Sequence, residues 1–263
     1  MKRIVSSVIF LRIFILIVQY GNEPIFFIFL SLILLVALYE FFTLLEKNNQ
    51  KCMLFPGMAL GWLVLFSFFN KQNHTLYSAL AILIFGVFLT KLLSEKPMHS
   101  TLEEIANTFF GVLYIGFLLG YLINIRQYEE GRKLIFMLFS IIWLGDTFAY
   151  YIGSLVGKHK LASAISPNKS LEGALGGLGG SLFGVLVAQY WFYLPISAFH
   201  GVILGLVSGV AGQIGDLCES MLKRNLKVKD SGFLIPGHGG VLDRLDYVLF
   251  SAPAFYYIYL IIH

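Results

Sequence analysis

All five aspartates of this 263-residue chain fall in its second half: Asp146, Asp216, Asp230, Asp243 and Asp246. Asp216 is followed at three and four residues by Glu219 and Ser220, which places the three on one helical face. Asp243 and Asp246, three apart, would share a face of the next helix. Short carboxylates drawn from two helices suit Mg²⁺, a hard cation that takes one or two protein carboxylates and completes its shell with phosphate oxygens. Taken singly, Asp243 would serve as well as a helix N-cap, and Asp216 as an ion-pair partner for Lys223 or Arg224. Taken together, the set favours a metal.

The stretch between these acids mixes Lys223, Arg224, Lys227 and Lys229 with Pro236-Gly237-His238-Gly239-Gly240. Cations beside glycines suggest a polyphosphate: glycines let backbone N–H groups approach phosphate oxygens, and Lys and Arg neutralise charge the metal leaves. A basic loop lying against anionic lipid headgroups would explain the charge, but not a His-Gly-Gly flanked by aspartates. Residues 211–246 hold ten charged side chains, against 24 in the other 227 residues, so chemistry concentrates there. A second polar island runs Gly157-Lys158-His159-Lys160 and then Ser166-Pro167-Asn168-Lys169-Ser170-Leu171-Glu172-Gly173. Asp146 lies near the middle of an apolar segment, where an ionisable group is costly and is expected to line a polar cavity.

These residues must be held by membrane helices. The chain is 57% hydrophobic and 13% charged with a mean hydropathy of +0.77, whereas a soluble domain carries about 25% charged residues. A soluble enzyme and a disordered scaffold are both excluded. The expected fold is all-α, a polytopic integral membrane protein of about nine transmembrane helices: 4–18, 25–45, 53–69, 76–93, 105–125, 134–156, 173–192, 196–217 and 245–262. With that count, 14 Lys and Arg fall on one side and four on the other, with Arg12 inside the first helix. The positive-inside rule then puts the N-terminus and both polar islands in the cytoplasm. Gly173, Gly176, Gly177, Gly180 and Gly184 read as close helix packing, and no P-loop pattern is present. Glu40, near the end of the second helix, is expected to reach the interface. Cys52 and Cys218 have no zinc-ligand or disulfide spacing. One membrane domain spans 1–263, with 1–130 as helical scaffold and 131–263 as the catalytic region.

The run from Ser220 through Met-Leu-Lys-Arg-Asn-Leu-Lys-Val-Lys-Asp-Ser-Gly-Phe-Leu-Ile-Pro-Gly-His-Gly-Gly-Val-Leu-Asp-Arg-Leu to Asp246 resembles the signature of the CTP:phosphatidate cytidylyltransferases, or CDP-diacylglycerol synthases. Its matching positions are Ser220, Lys223, Arg224, Lys229, Asp230, His238, Gly239, Gly240, Asp243, Arg244 and Asp246. The resemblance extends upstream through Gln213-Ile-Gly-Asp216 and the second island to Asp146. The first five helices match only in hydropathy. Where the family typically reads S-P-K-K-T-W-E-G, this chain has Asn168, Ser170 and Leu171 but keeps Lys169 and Glu172.

The resemblance implies an enzyme of phospholipid synthesis that joins CTP and phosphatidate to give CDP-diacylglycerol and pyrophosphate with Mg²⁺. Asp216 and Asp243 would hold the metal, with Asp246 as a further ligand, and Lys223 and Arg224 would share the catalytic work. Lys229, Arg244, His238, Gly239, Gly240, Ser166, Lys169 and Asp146 would bind substrates. A second cation and a homodimer are compatible with this, and no nucleic-acid partner is expected. A compact chain without an extended targeting arm points to a bacterial inner membrane, the site facing the cytoplasm. Polyprenol-type lipid kinases also use CTP, but the long His-Gly-Gly signature favours the cytidylyltransferase. A secondary transporter would repeat its acids in both halves, and the first half has no aspartate. The D-G-x-x-A-R pattern of alcohol phosphatidyltransferases is missing.

Overall fold

The computed structural model describes residues 2–94, 98–192, 194, 196–232 and 239–263. The helices in chain order are α1 (Lys2–Tyr20), α2 (Glu23–Lys47), α3 (Leu54–Phe69), α4 (Asn73–Leu92), α5 (Thr101–Gly111), α6 (Leu118–Arg126), α7 (Gly131–Val156), α8 (Leu171–Phe192), α9 (Ala198–Asn225) and α10 (Asp246–Ile262). A π-helical stretch, Val112–Phe117, joins α5 to α6 without a break. Among the described residues, six helices are long and apolar enough to cross a membrane: Glu23–Lys47, His74–Leu92, Met98–Arg126, Gly131–Val156, Leu171–Phe192 and Ala198–Asn225.

Two of the nine expected spans are thus shorter apolar helices: Leu54–Phe69 and Asp246–Ile262. The 16 residues of α3 rise only about 24 Å, short of a hydrocarbon core about 30 Å thick. The expected helix over 196–217 is instead longer and shifted, so Asp216 sits inside α9 rather than at its edge. The helical fold also carries one antiparallel hairpin, β1 (Lys160–Ala162) with β2 (Ser166–Ser170), in register Lys160 to Ser170 and Ala162 to Ser166. It forms within the second polar island, where hydropathy alone indicated only a loop.

The chain divides into two compact units. One is Met1–Asn124 with Asp230–Arg244, the other Ile125–Lys229 with Leu245–His263. The first unit is built on α2, whose Leu34, Leu38, Phe41 and Phe42 are buried. Glycines on neighbouring helices make room for them: a Cβ added at Gly57 or Gly111 would lie 2.7 Å from the Phe42 ring. The same unit buries an ion pair, Lys91 Nζ to Glu104 Oε2 at 3.0 Å, and Ser100 Oγ donates to Glu104 Oε1 at 2.7 Å. Breaking a buried pair from one side costs about 3 kcal/mol or more. Lys91→Met is therefore expected to lower the melting temperature in detergent by roughly 10 °C, with turnover per folded molecule unchanged.

In the second unit α7 and α8 approach almost backbone to backbone. Gly184 faces the Ser140 carbonyl, where an added Cβ would lie 2.5 Å from the oxygen and 2.9 Å from Ile141 Cα. Gly180 faces the Leu144 carbonyl, Gly177 the Gly145 carbonyl, and Gly173 the Cα of Gly153. The glycine series read as packing in the sequence does pack, because only a missing side chain permits this separation. Gly184→Val would push backbone against backbone, with an expected loss of about 3 kcal/mol. Gly179→Val, at a position where a Cβ meets nothing within 4 Å, is the matched control. Equal melting temperatures for the two variants would refute the packing role.

Candidate active site

In the second unit, α9 carries Asp216, Glu219, Ser220, Lys223 and Arg224 along one stripe, at spacings of three, four, seven and eight residues. Its partner is the start of α10. Gly212 and Gly215 leave α9 bare where α10 crosses: a Cβ at Gly212 would meet the Tyr247 ring at 2.7 Å, and one at Gly215 would strike the Asp246 carbonyl. This approach sets the Asp246 carboxylate against that of Asp216, with Asp146 of α7 and Lys223 also within electrostatic reach. The Tyr247 hydroxyl faces Asp216, and Ser220 Oγ stands 3.5 Å from Asp216 Oδ1. Lys223 Nζ pairs with the buried Glu219 at 3.2 Å.

The hairpin completes the cluster. Lys169 on β2 forms an ion pair with Asp216 Oδ2, while Ser166 opens the same strand. The Arg224 Nε–H donates to the Ile165 carbonyl at 3.2 Å, tying the hairpin to α9. At the hairpin's base Glu172 accepts from the Lys158 N–H at 3.1 Å and lies 2.6 Å from His159 Nδ1. The hairpin is thus held at both ends, and Asn168, where the chain departs from the family pattern, is solvent-exposed. The end of α9 is shaped by Lys227, whose φ of 53° is left-handed. The Val228 N–H donates to the Lys223 carbonyl at 2.9 Å and the Lys227 N–H to the Arg224 carbonyl at 3.0 Å, a Schellman ending. This turns the exposed Lys227 and Lys229 away from the helix axis.

The signature loop belongs to the first unit. Asp243 Oδ2 accepts from the Gly240 N–H at 2.7 Å and the Ser231 N–H at 2.9 Å. Gly239 has φ +83°, and a Cβ there would lie 2.5 Å from Asp243 Oδ2. Asp243 therefore closes the glycine turn on itself, and the Gly240 N–H points at this carboxylate. Arg244 is exposed at the end of a short 3₁₀ turn, Leu242–Arg244. Gly237 and His238 lie outside the described residues.

Glu40 departs from expectation. It does not reach the interface: the side chain is 4% exposed, and Oε2 accepts from the Leu242 N–H at 3.0 Å, 202 residues away. A Cβ at Gly232 would lie 2.5 Å from Glu40 Oε1. Sequence reasoning set Glu40 aside because a lone carboxylate near a helix end has no local signal. Its one cue was being an acid inside an otherwise apolar helix.

Within the described residues, no three His, Cys, Asp or Glu side chains stand close enough together to hold a metal. The carboxylates of Asp216 and Asp246, within electrostatic reach of each other, are nevertheless hard oxygen donors. Mg²⁺ is ordinarily bound through one or two carboxylates, with substrate phosphates and water filling the octahedron, so the donor set fits that ion. Lys169 and Lys223 beside the pair add the positive charge that a polyphosphate needs.

The sequence matches the cytidylyltransferase family across residues 1–262. The chain belongs to that family. Among related cytidylyltransferases, the phosphatidate cytidylyltransferase of Bacillus subtilis is 35% identical over 98% of this chain and 96% of its own length. That of Staphylococcus epidermidis is 36% identical over 95% of each chain. That of Synechocystis is 38% identical over 65% of this chain and 68% of its own. The match therefore includes the first five helices, in which the sequence offered only hydropathy. Bacterial relatives and six long apolar helices together describe an integral membrane enzyme of this family.

Proposed function

We propose that the protein is a phosphatidate cytidylyltransferase, converting CTP and phosphatidate to CDP-diacylglycerol and pyrophosphate. The observation that carries this reading is the Asp216, Asp246, Lys169 and Lys223 cluster in a chain related over nearly its whole length to enzymes of that name. An oxygen of the lipid phosphate attacks the α-phosphorus of CTP in line. The bond from that phosphorus to the bridging oxygen breaks, and pyrophosphate leaves with the electron pair. No general base is needed, because a phosphate monoester with a second pKa near 6 is largely ionised at neutral pH. The work is positioning two anions that repel each other and neutralising the charge that builds on the leaving group.

Asp216 and Asp246 would hold Mg²⁺, and Asp243, three residues before Asp246 in the signature, is assigned to the same ion on that spacing. Held by these carboxylates, Mg²⁺ would supply stabilisation of the negative charge on the phosphates. Lys169 and Lys223 orient and neutralise phosphates, and their own carboxylate partners keep them placed before substrate arrives. Arg224, Lys229 and Arg244 are assigned to the triphosphate and the lipid headgroup, and Ser166, His238, Gly239 and Gly240 to substrate binding, on their places in the signature and the second polar island. Asp146, in the apolar α7 and within electrostatic reach of Asp246, is assigned to the polar lining around the substrates.

The orientation follows from charge. With nine segments taken as crossing, 14 Lys and Arg fall on one side, and the positive-inside rule supports a cytoplasmic N-terminus and site at a bacterial inner membrane. Soluble CTP enters there, and phosphatidate comes from the adjoining leaflet.

The test uses purified protein in detergent with Mg²⁺, phosphatidate and CTP labelled in the α-phosphate, followed by lipid extraction. Label is expected in CDP-diacylglycerol, with release of pyrophosphate. Label reaching a lipid alcohol only from γ-labelled CTP would replace the proposal with a lipid kinase.

A further inference from the structure

Glu40 is buried in the first unit against the one turn that carries the His-Gly-Gly signature. Its Oε2 accepts from the Leu242 N–H at 3.0 Å, and the Val241 N–H faces the same carboxylate. Two glycines of the loop are shaped around this carboxylate. A Cβ at Gly232 would lie 2.5 Å from Oε1, and one at Gly240 would collide with Oε2 and with Ser231 Oγ. The turn is therefore wrapped around two carboxylates. Asp243 takes the N–H groups of Ser231 and Gly240, and Glu40 takes that of Leu242, with the Val241 N–H facing the same carboxylate. Three backbone donors around the glycine corner are thus anchored by side chains, one of them by a helix about 200 residues upstream.

We infer that Glu40 is a positioning residue for the transfer reaction, ordering the Gly239–Leu242 turn so that Asp243 and Arg244 are presented in one fixed geometry. The inference rests on the proposed cytidylyltransferase reaction, since only in that reaction do Asp243 and Arg244 have work to do. The physical ground is the cost of leaving buried N–H groups unsatisfied. Without the carboxylate, the Val241 and Leu242 N–H groups would have to find water, and the turn would open to let it in. A catalytic group displaced by about 1 Å can lose about a hundred-fold in rate. Glu40 would thereby affect chemistry without touching either substrate. Glycine at 232 and 240 follows from the same contact, as room for a carboxylate.

The test compares wild type, Glu40→Ala and Glu40→Gln in detergent, with Lys91→Met as a variant of the same unit that does not touch the turn. Amide hydrogen exchange is followed at Val241 and Leu242, and kcat is measured per folded molecule. In the wild type both amides are expected to be protected without substrate or metal. Glu40→Ala is expected to speed their exchange while α3 stays protected, and to lower kcat by at least about 50-fold. Glu40→Gln keeps an acceptor oxygen and is expected to recover activity to within about 10-fold of wild type. Lys91→Met should leave kcat and the exchange of both amides unchanged.

Rapid exchange of Val241 and Leu242 in the wild type would overturn the inference, even if Glu40→Ala did not fold. So would Glu40→Ala with wild-type kcat, or loosening spread evenly over the unit. Failure of the wild type to make CDP-diacylglycerol would count against the proposed reaction, whereas a change confined to the variants bears on Glu40 alone.

Discussion

Asp216→Asn is expected to lower CDP-diacylglycerol formation by at least about a thousand-fold while the protein still folds. The side chain keeps its shape, and its remaining oxygen can still accept from the Tyr247 hydroxyl or Ser220. What disappears is the charge. Lys169 loses the partner that fixes its ammonium group, and the pair formed with Asp246 loses half of its negative field. Removal of a single preorganised electrostatic group typically costs a hundred- to a thousand-fold, roughly 3–4 kcal/mol. Here a metal ligand and a lysine anchor would be lost in one substitution. The α-labelled CTP assay measures the effect, and activity within ten-fold of wild type would remove Asp216 from the metal site.

Asp243→Asn separates the turn role seen in the structure from the proposed metal role. Asp243 Oδ2 takes both strong backbone bonds, at 2.7 and 2.9 Å, while Oδ1 has only the longer contact with the Ser231 N–H at 3.2 Å. An asparagine with its oxygen in the Oδ2 position can therefore hold the turn, at a cost of about 1 kcal/mol for exchanging a charged acceptor for a neutral one. If Asp243 is also a metal ligand, activity should fall by at least about a hundred-fold with the turn intact. The two readouts are CDP-diacylglycerol formation and amide exchange at Ser231 and Gly240. Near-normal activity with protected amides would make Asp243 a turn residue only, and metal binding would then rest on Asp216 and Asp246.

These effects depend on features that were legible in the sequence to different degrees. Apolar runs of membrane length follow from composition alone, since burial in hydrocarbon acts on each residue where it stands. The shared face of Asp216, Glu219 and Ser220 could be read because helical periodicity is local. The glycine face of α8 was readable for the same reason, and the carbonyls of Ser140 and Leu144 against Gly184 and Gly180 account for it. Span length was less legible. A window of hydropathy does not register that α3 stops at Phe69, or that α9 runs on to Asn225 through charged residues. The hairpin carrying Lys169 is equally hidden, because its five-residue strand contains a proline, an asparagine and a lysine. It is held instead by Arg224 and Glu172 from outside it.

What the sequence by itself determined is that this is a membrane protein and which residue types it gathers for phosphate and metal chemistry, since the signature and the helical stripes are patterns of neighbours along the chain. Only the tertiary structure decided which carboxylates meet. Asp216 reaches Asp246 because Gly212 and Gly215 let two helices touch, and Glu40 reaches Leu242 across 202 residues. Neither pairing leaves a local mark. Both arise from burial and from the need of buried backbone donors for acceptors, conditions that exist only once the chain has folded.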